Sequence, residues 1–159
     1  MTRTPAGYAL TALVLPVFEL NGEFLAAAEL ITRPVGLTPA WWQVLGATLE
    51  EPLPVAEIAR RVGLGLARQS VQRVADLLVE QHWALYQPNP NHRRAKLVAP
   101  TPLGRQTLAR LSVAQHAWAD SVGAEVGRDE LVQTLAVLRR ISGASRAYRE
   151  SAESLDGND

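Results

Sequence analysis

What most constrains this chain is the order of signals between Pro54 and Pro100. Pro54 opens a short amphipathic run with Val55, Ile58, Ala59 and Val62 on one face. Gly63 is placed to cap it, and Leu64-Gly65-Leu66 reads as a tight turn. A second run continues to about Gln81, with Val71, Val74, Ala75 and Leu78 facing inward. At roughly 100° per residue, Arg68, Gln69, Gln72, Arg73 and Asp76 fall on the opposite face. Trp83–Tyr86 and Ala95–Ala99 then read as two strands around Pro88-Asn89-Pro90-Asn91-His92, a composition that must turn. Two helices around a tight turn, followed by a hairpin, form a winged helix-turn-helix.

Charge follows the same boundaries. Residues 60–110 hold nine basic side chains and two acids, a net +7, while residues 1–59 carry −4 and residues 111–159 carry −3. A formally neutral protein thus conceals a basic centre, which suits a polyanion and most simply nucleic acid. Two Arg and two Gln on one helix face would alone describe a solvated surface. The Arg93-Arg94 pair at the hairpin tip is what makes a DNA-binding reading sharper. Arg68, Gln69, Gln72 and Arg73 are long enough to reach base edges in a major groove, and Arg and Gln can each make two parallel hydrogen bonds to one base. Ser70 can reach a phosphate or base. Arg93 or Arg94 suits the negative potential of the adjoining minor groove, and Lys96 follows on the returning strand.

Composition narrows the alternatives. With no cysteine, disulfides, thiol switches and Cys-ligated zinc are excluded. His82, His92 and His116 are scattered, leaving little for a metal site. No Ser or carboxylate stands beside them in a catalytic motif, so the reading includes no enzyme activity, metal or cofactor. No run of about 18 apolar residues suggests a membrane span. Arg3 before the apolar stretch Tyr8–Phe18 weakly resembles a signal peptide, but Pro16, Glu19 and Glu23 break that pattern. The expectation is a structural helix and a cytoplasmic protein.

Outside the centre the chain is helical. Leu10, Leu13, Val14, Val17, Leu20, Phe24, Leu25 and Ala28 recur at three- and four-residue steps, with Pro16 expected to kink this helix or mark its effective start. Arg33-Pro34-Val35-Gly36 ends it. Thr38-Pro39 reads as a capped start to a second helix, whose stripe is Trp42, Leu45, Gly46 and Leu49 and which stops at Glu50-Glu51-Pro52. Thr101-Pro102 repeats that start for a long helix with Leu108, Leu111, Gln115, Trp118 and Val122 in a row. A break near Gly123–Gly127 precedes a last helix bearing Leu131, Leu135, Leu138 and Ile141, and the acidic tail Ser151–Asp159 should fray.

The run Ile58-Ala59-Arg60-Arg61-Val62-Gly63, the run Arg68–Leu78, the wing Pro88–Val98 and the following Thr101-Pro102-Leu103-Gly104-Arg105 together resemble the MarR (multiple antibiotic resistance regulator) family of bacterial transcription factors. The close match spans about residues 55–110. The expected fold is mainly α with a small β-hairpin wing, in a single domain over 1–159. Residues 37–100 would form the winged helix-turn-helix lobe, and residues 4–33 and 101–152 a helical dimerisation region. The resemblance implies a homodimer whose first and last two helices interlock. It also implies a regulator, most simply a repressor, on a pseudo-palindromic operator, and often a small ligand that releases the double-stranded DNA. Trp41 and Trp42 would border the family's ligand cleft, which His116 could also line, although core packing is the favoured role for the two tryptophans and a structural one for His116. Two departures stand out. The family commonly has an acid ahead of the tip Arg, where this chain has Asn89, Asn91 and His92, and a capping Ser or Thr where it has Ala67. A winged-helix protein-interaction module without an operator is the alternative. Salt-sensitive binding to duplex DNA separates the two.

Overall fold

The computed structural model describes residues 3–62 and 68–156, with side chains through Ser154. It divides into two compact units, one ending at Gln115 and one beginning at His116. The first unit runs α1 (Pro5–Thr32), a single 3-10 turn (Arg33–Val35), α2 (Pro39–Gly46), β1 (Leu53–Pro54), α3 (Val55–Val62), α4 (Arg68–Glu80), β2 (Ala84–Gln87), β3 (Leu97–Pro100) and the first part of α5 (Pro102–Val126). The remainder of α5 and all of α6 (Arg128–Asp156) form the second. The fold is mostly helical with a small antiparallel sheet, as the sequence pattern implies.

Three helices begin in the same way. Thr4, Thr38 and Thr101 each precede a proline, and each Oγ1 accepts the backbone N–H three residues on, at 3.1, 3.2 and 3.0 Å. Proline at the first helical position has no N–H to leave unpaired, while the threonine satisfies one that would be. The Thr4-Pro5 pair therefore starts α1, which continues unbroken through Pro16 rather than beginning there. α2 is shorter than its apolar stripe suggests. After Gly46, Thr48 turns back on Leu45, whose carbonyl accepts from both its N–H at 3.1 Å and its Oγ1 at 2.7 Å. A threonine that bonds the backbone locally competes with helix propagation, and Leu49 is left exposed.

The sheet has the order β1-β3-β2. Its third strand goes beyond the hairpin that the sequence pattern implies. Pro54 pairs with Leu97 instead of opening a helix, and Leu53 pairs with Val98. A proline is tolerated there because β1 is an edge strand. In the hairpin, Tyr86 stands opposite Val98 and Gln87 opposite Leu97. Both hairpin strands are shifted one or more residues later than expected.

The core of the first unit joins Val44 and Leu45 of α2, Ile58 of α3, Val71, Ala75 and Leu78 of α4, Val98 of β3, and Leu108 and Leu111 of α5. Ala59, Val62 and Val74 are only half-buried at its margin. α4 ends in a Schellman turn, with His82 N–H bonded to the Val79 carbonyl and Trp83 N–H to the Leu78 carbonyl. That geometry puts His82 at φ 63°, where glycine is the usual residue. Thr101 clamps this turn by donating its hydroxyl to the His82 carbonyl at 2.7 Å, and its N–H to the Trp83 carbonyl at 3.0 Å. α5 can approach so closely only because position 104 is glycine: a Cβ there would lie 2.1 Å from the Trp83 carbonyl oxygen.

α1 contrasts with this packing. Thr32 is its single buried residue, and Leu10, Leu13, Val14, Val17, Phe18, Leu20, Phe24 and Leu25 are all exposed. With its following turn, the helix is long and apolar enough by length and composition to cross a membrane. Glu19, Glu23 and Glu29 lie along its second half. In the second unit, α5 and α6 meet at Gly127, whose φ of 92° provides the left-handed break. Leu131, Val132, Leu135, Val137 and Leu138 of α6 are exposed.

Candidate nucleic-acid interface

Burying Val71, Ala75 and Leu78 dictates what α4 shows to solvent. Arg68, Gln69, Ser70, Gln72, Arg73 and Asp76 are all exposed, as their 3.6-residue spacing requires. On the wing, Arg93, Arg94 and Lys96 are also exposed. The tertiary structure brings these two sets together. Arg68 and Gln72 of α4 line the same open cleft of about 380 Å³ as His92, Arg94 and Lys96. Arg93 and Lys96 line a second concavity beside Tyr86 and Pro88.

The basic centre separates into two groups. Arg61 bridges Glu51 at 2.6 Å and Glu57 at 3.1 Å, and Arg60 also pairs with Glu57. Hydrogen bonds from Arg60 and then Arg61 hold the Glu57 carboxyl below its ordinary range, and the bonds to Glu51 and Glu57 raise Arg61. These two arginines are internally compensated. Arg105 is likewise engaged, donating to the Leu49 carbonyl at 3.2 Å. By contrast, Arg68, Arg73, Arg93 and Arg94 make no salt bridge among the described residues. Four arginines without an ion pair among the described residues thus lie on α4 and the wing, while Arg105, bonded to a neutral carbonyl, keeps its charge on α5.

The wing is ordered without an acid. His92 Nδ1 accepts the backbone N–H groups of Arg94 at 3.3 Å and Ala95 at 3.2 Å, which requires the ring proton to sit on Nε2. Asn89 Oδ1 accepts Asn91 N–H at 3.0 Å, closing an Asx turn one step earlier. An imidazole thus accepts from the backbone of the turn, a role that residue type alone does not reveal. Ala67, Gly63 and the turn between them lie outside the described residues, and so does the capping difference at Ala67.

On the exposed face itself lies a polar triangle that sequence reasoning missed. Gln72 Nε2 donates to Asp76 Oδ1 at 3.0 Å and to the Tyr86 hydroxyl at 2.8 Å, while that hydroxyl donates to Asp76 Oδ1 at 2.5 Å. Lys96 Nζ sits 5.6 Å from the centroid of the Tyr86 ring. Burial first, and then the Asp76 carboxylate, push the Tyr86 hydroxyl up to about 12. Only the Gln72–Asp76 spacing of four is visible in the sequence.

The candidate ligand residues fall elsewhere. Trp41 and Trp42 are half-buried and pack against the core, with Trp41 edge-on to Trp83 at 5.8 Å between centroids. That contact supports the packing role. His116 is exposed on α5 in the second unit. No group of three or more metal-ligating side chains occurs among the described residues.

A helix with an outward polar and basic face, set beside a hairpin of like charge, defines the class of winged helix-turn-helix DNA-binding proteins. A MarR family model matches residues 35–95. The uncharacterized protein Rv2011c of Mycobacterium tuberculosis is 35% identical over 137 residues, covering 82% of this chain and 94% of that protein. Two solved structures share the fold. A mutant MarR from E. coli complexed with operator DNA matches with a TM-score of 0.74 at 19% identity, over 84% of this chain and 95% of that one. A Staphylococcus aureus MarR in complex with salicylate and kanamycin matches with a TM-score of 0.76 at 15% identity, over 88% and 94%. The chain belongs to the MarR family, whose members are transcription regulators and not enzymes.

Proposed function

We propose that the protein is a cytoplasmic homodimeric repressor that binds a pseudo-palindromic operator in duplex DNA and is released by a small ligand. The observation that carries this reading is the shared cleft, in which Arg68 and Gln72 of α4 meet Arg94 and Lys96 of the wing. In this arrangement α4 enters a major groove, with Gln69, Gln72 and Arg73 reading bases and Ser70 and Arg68 at base or phosphate. Arg93 and Arg94 act through the minor groove and backbone. The E. coli neighbour crystallised with operator DNA supports duplex DNA as the partner.

Dimerisation is supported by α1, whose apolar side chains have almost no cover within their own unit. A second copy of the chain is the proposed cover, through residues 4–33 and 101–152. Two-fold symmetry then sets the two α4 helices about one DNA turn apart, roughly 34 Å, on an inverted repeat. The ligand arm rests on the family and on the salicylate-bound neighbour, with Trp41, Trp42 and His116 as candidate contacts. Salicylate is the first probe, read by displacement of labelled DNA.

The central test is selection from a randomised duplex library, followed by titration of single variants at several salt concentrations. Arg73→Ala should weaken the selected site by about five- to a hundredfold while barely changing scrambled DNA. Replacing Arg93 and Arg94 together by Ala should weaken both and flatten the salt slope by about one unit for each phosphate that is no longer neutralised. Equal losses on both DNAs for Arg73→Ala overturn base reading. An unchanged slope for the double variant overturns the wing assignment.

A further inference from the structure

We propose that Asp76 and Tyr86 are positioning residues that make Gln72 an acceptor-only reader, selecting adenine or cytosine over guanine or thymine at one strand position of each half-site. The inference rests on the reading of α4 as the recognition helix.

A free glutamine amide presents one acceptor and two donor hydrogens, and its usual adenine contact uses both ends, accepting from N6 and donating to N7. Gln72 is not free. Its Nε2 donates toward Asp76 Oδ1 at 3.0 Å and the Tyr86 hydroxyl at 2.8 Å, so the donor end of the amide is turned to this pair. The orientation follows from chemistry. An ionised carboxylate can only accept, so the nitrogen end of the amide must face Asp76. The tyrosine proton is itself committed to Asp76 at 2.5 Å, leaving a hydroxyl lone pair to receive Gln72. Each member thus fixes the other two.

The triangle is anchored through Tyr86. Tyr86 is half-buried on β2, paired across the sheet with Val98, and Lys96 lies against its ring. The raised Tyr86 hydroxyl keeps its proton at neutral pH. Gln72 Oε1 has no hydrogen-bond partner among the described residues, and Gln72 lines the cleft shared by Arg68 and Arg94. Its remaining capacity is to accept. In the major groove adenine offers the N6 amino group and cytosine the N4 amino group, whereas guanine and thymine offer acceptors. A locked Gln72 therefore distinguishes amino from keto bases and makes no use of purine N7.

The test is selection of the full-length protein and its variants on a randomised duplex library, with thermal melts run alongside. The wild type should show a position that accepts A or C, and Gln72→Ala should make that position neutral. Substituting 7-deazaadenine for a selected adenine should change wild-type affinity less than twofold. Tyr86→Phe frees one Gln72 hydrogen and keeps the ring's packing, and Asp76→Ala releases the amide altogether. Both should retain the rest of the selected site, while the amino-over-keto preference falls about five- to tenfold. If Asp76→Ala does not fold, Tyr86→Phe alone decides. A Gln72-dependent position that prefers G or T, a large loss with 7-deazaadenine, or a preference unchanged in Tyr86→Phe overturns this proposal and leaves DNA reading intact. A Gln72→Ala site identical to wild type overturns this proposal alone, and absence of any selected sequence overturns the recognition-helix reading with it.

Discussion

Gly104 shows how a single hydrogen atom sets a helix junction. Ordinarily an alanine in place of a helical glycine stabilises by up to about 1 kcal/mol. Here the added methyl would meet the Trp83 carbonyl oxygen at 2.1 Å, and that carbonyl also accepts Thr101 N–H. Gly104→Ala should therefore destabilise by about 3 kcal/mol, as α5 backs away from the α4 turn. A melting midpoint equal to or above wild type would show that the junction gives way cheaply. Tyr86 yields a second expectation at this scale. Its folded-state value of about 12 lies above the unfolded value near 10, so the protonated hydroxyl stabilises the fold. That contribution is complete below pH 10 and is lost as pH rises from about 10 to 12. Denaturant melts over this window should bring the wild type down toward Tyr86→Phe; a difference that stays constant would exclude the linkage.

At the scale of elements, the wing depends on an unusual acceptor. His92 joins the tip to the returning strand through two backbone N–H groups, and removal of such caps costs about 1 kcal/mol. His92→Ala should loosen the tip that carries Arg93 and Arg94 and weaken DNA binding about fivefold. His92→Asn, whose side-chain oxygen can accept from the same N–H groups, should stay within about twofold of wild type. Equal losses for both variants would mean that the imidazole acts on DNA directly instead of through the turn. The same reasoning explains why α3 contributes little free charge despite Arg60 and Arg61. Its carboxylate partners Glu51 and Glu57 already occupy them.

For the whole molecule, the decisive quantity is apolar surface. Leu13 and Val17 lie among the exposed apolar side chains of α1, and such a continuous uncovered face is unusual for a monomer. In sedimentation at micromolar concentration the protein should run as a dimer. Leu13→Glu with Val17→Glu should shift it toward monomer and, because two half-sites are then engaged separately, weaken operator binding more than scrambled-DNA binding. A wild-type monomer at these concentrations removes the homodimer from the proposal.

Local rules account for much of this protein. Helical periodicity, Thr-Pro starts and the Pro-Asn turn depend on backbone hydrogen bonds within a few residues, so α2, α3, α4 and the hairpin are legible in outline. So is the outward face of α4, because burying Val71, Ala75 and Leu78 leaves Gln69, Gln72 and Arg73 no other side to occupy. The pattern misleads where a partner is distant. β1 exists because Leu53 and Pro54 meet Val98 and Leu97, a pairing that no local rule announces. Which basic side chains are free, and how Gln72 presents its amide, depend on contacts such as Tyr86–Asp76, ten residues apart, and Gln72–Tyr86, fourteen apart. Sequence settles which faces a helix has, through its period; only the tertiary structure decides what each face meets, because that depends on where the chain returns.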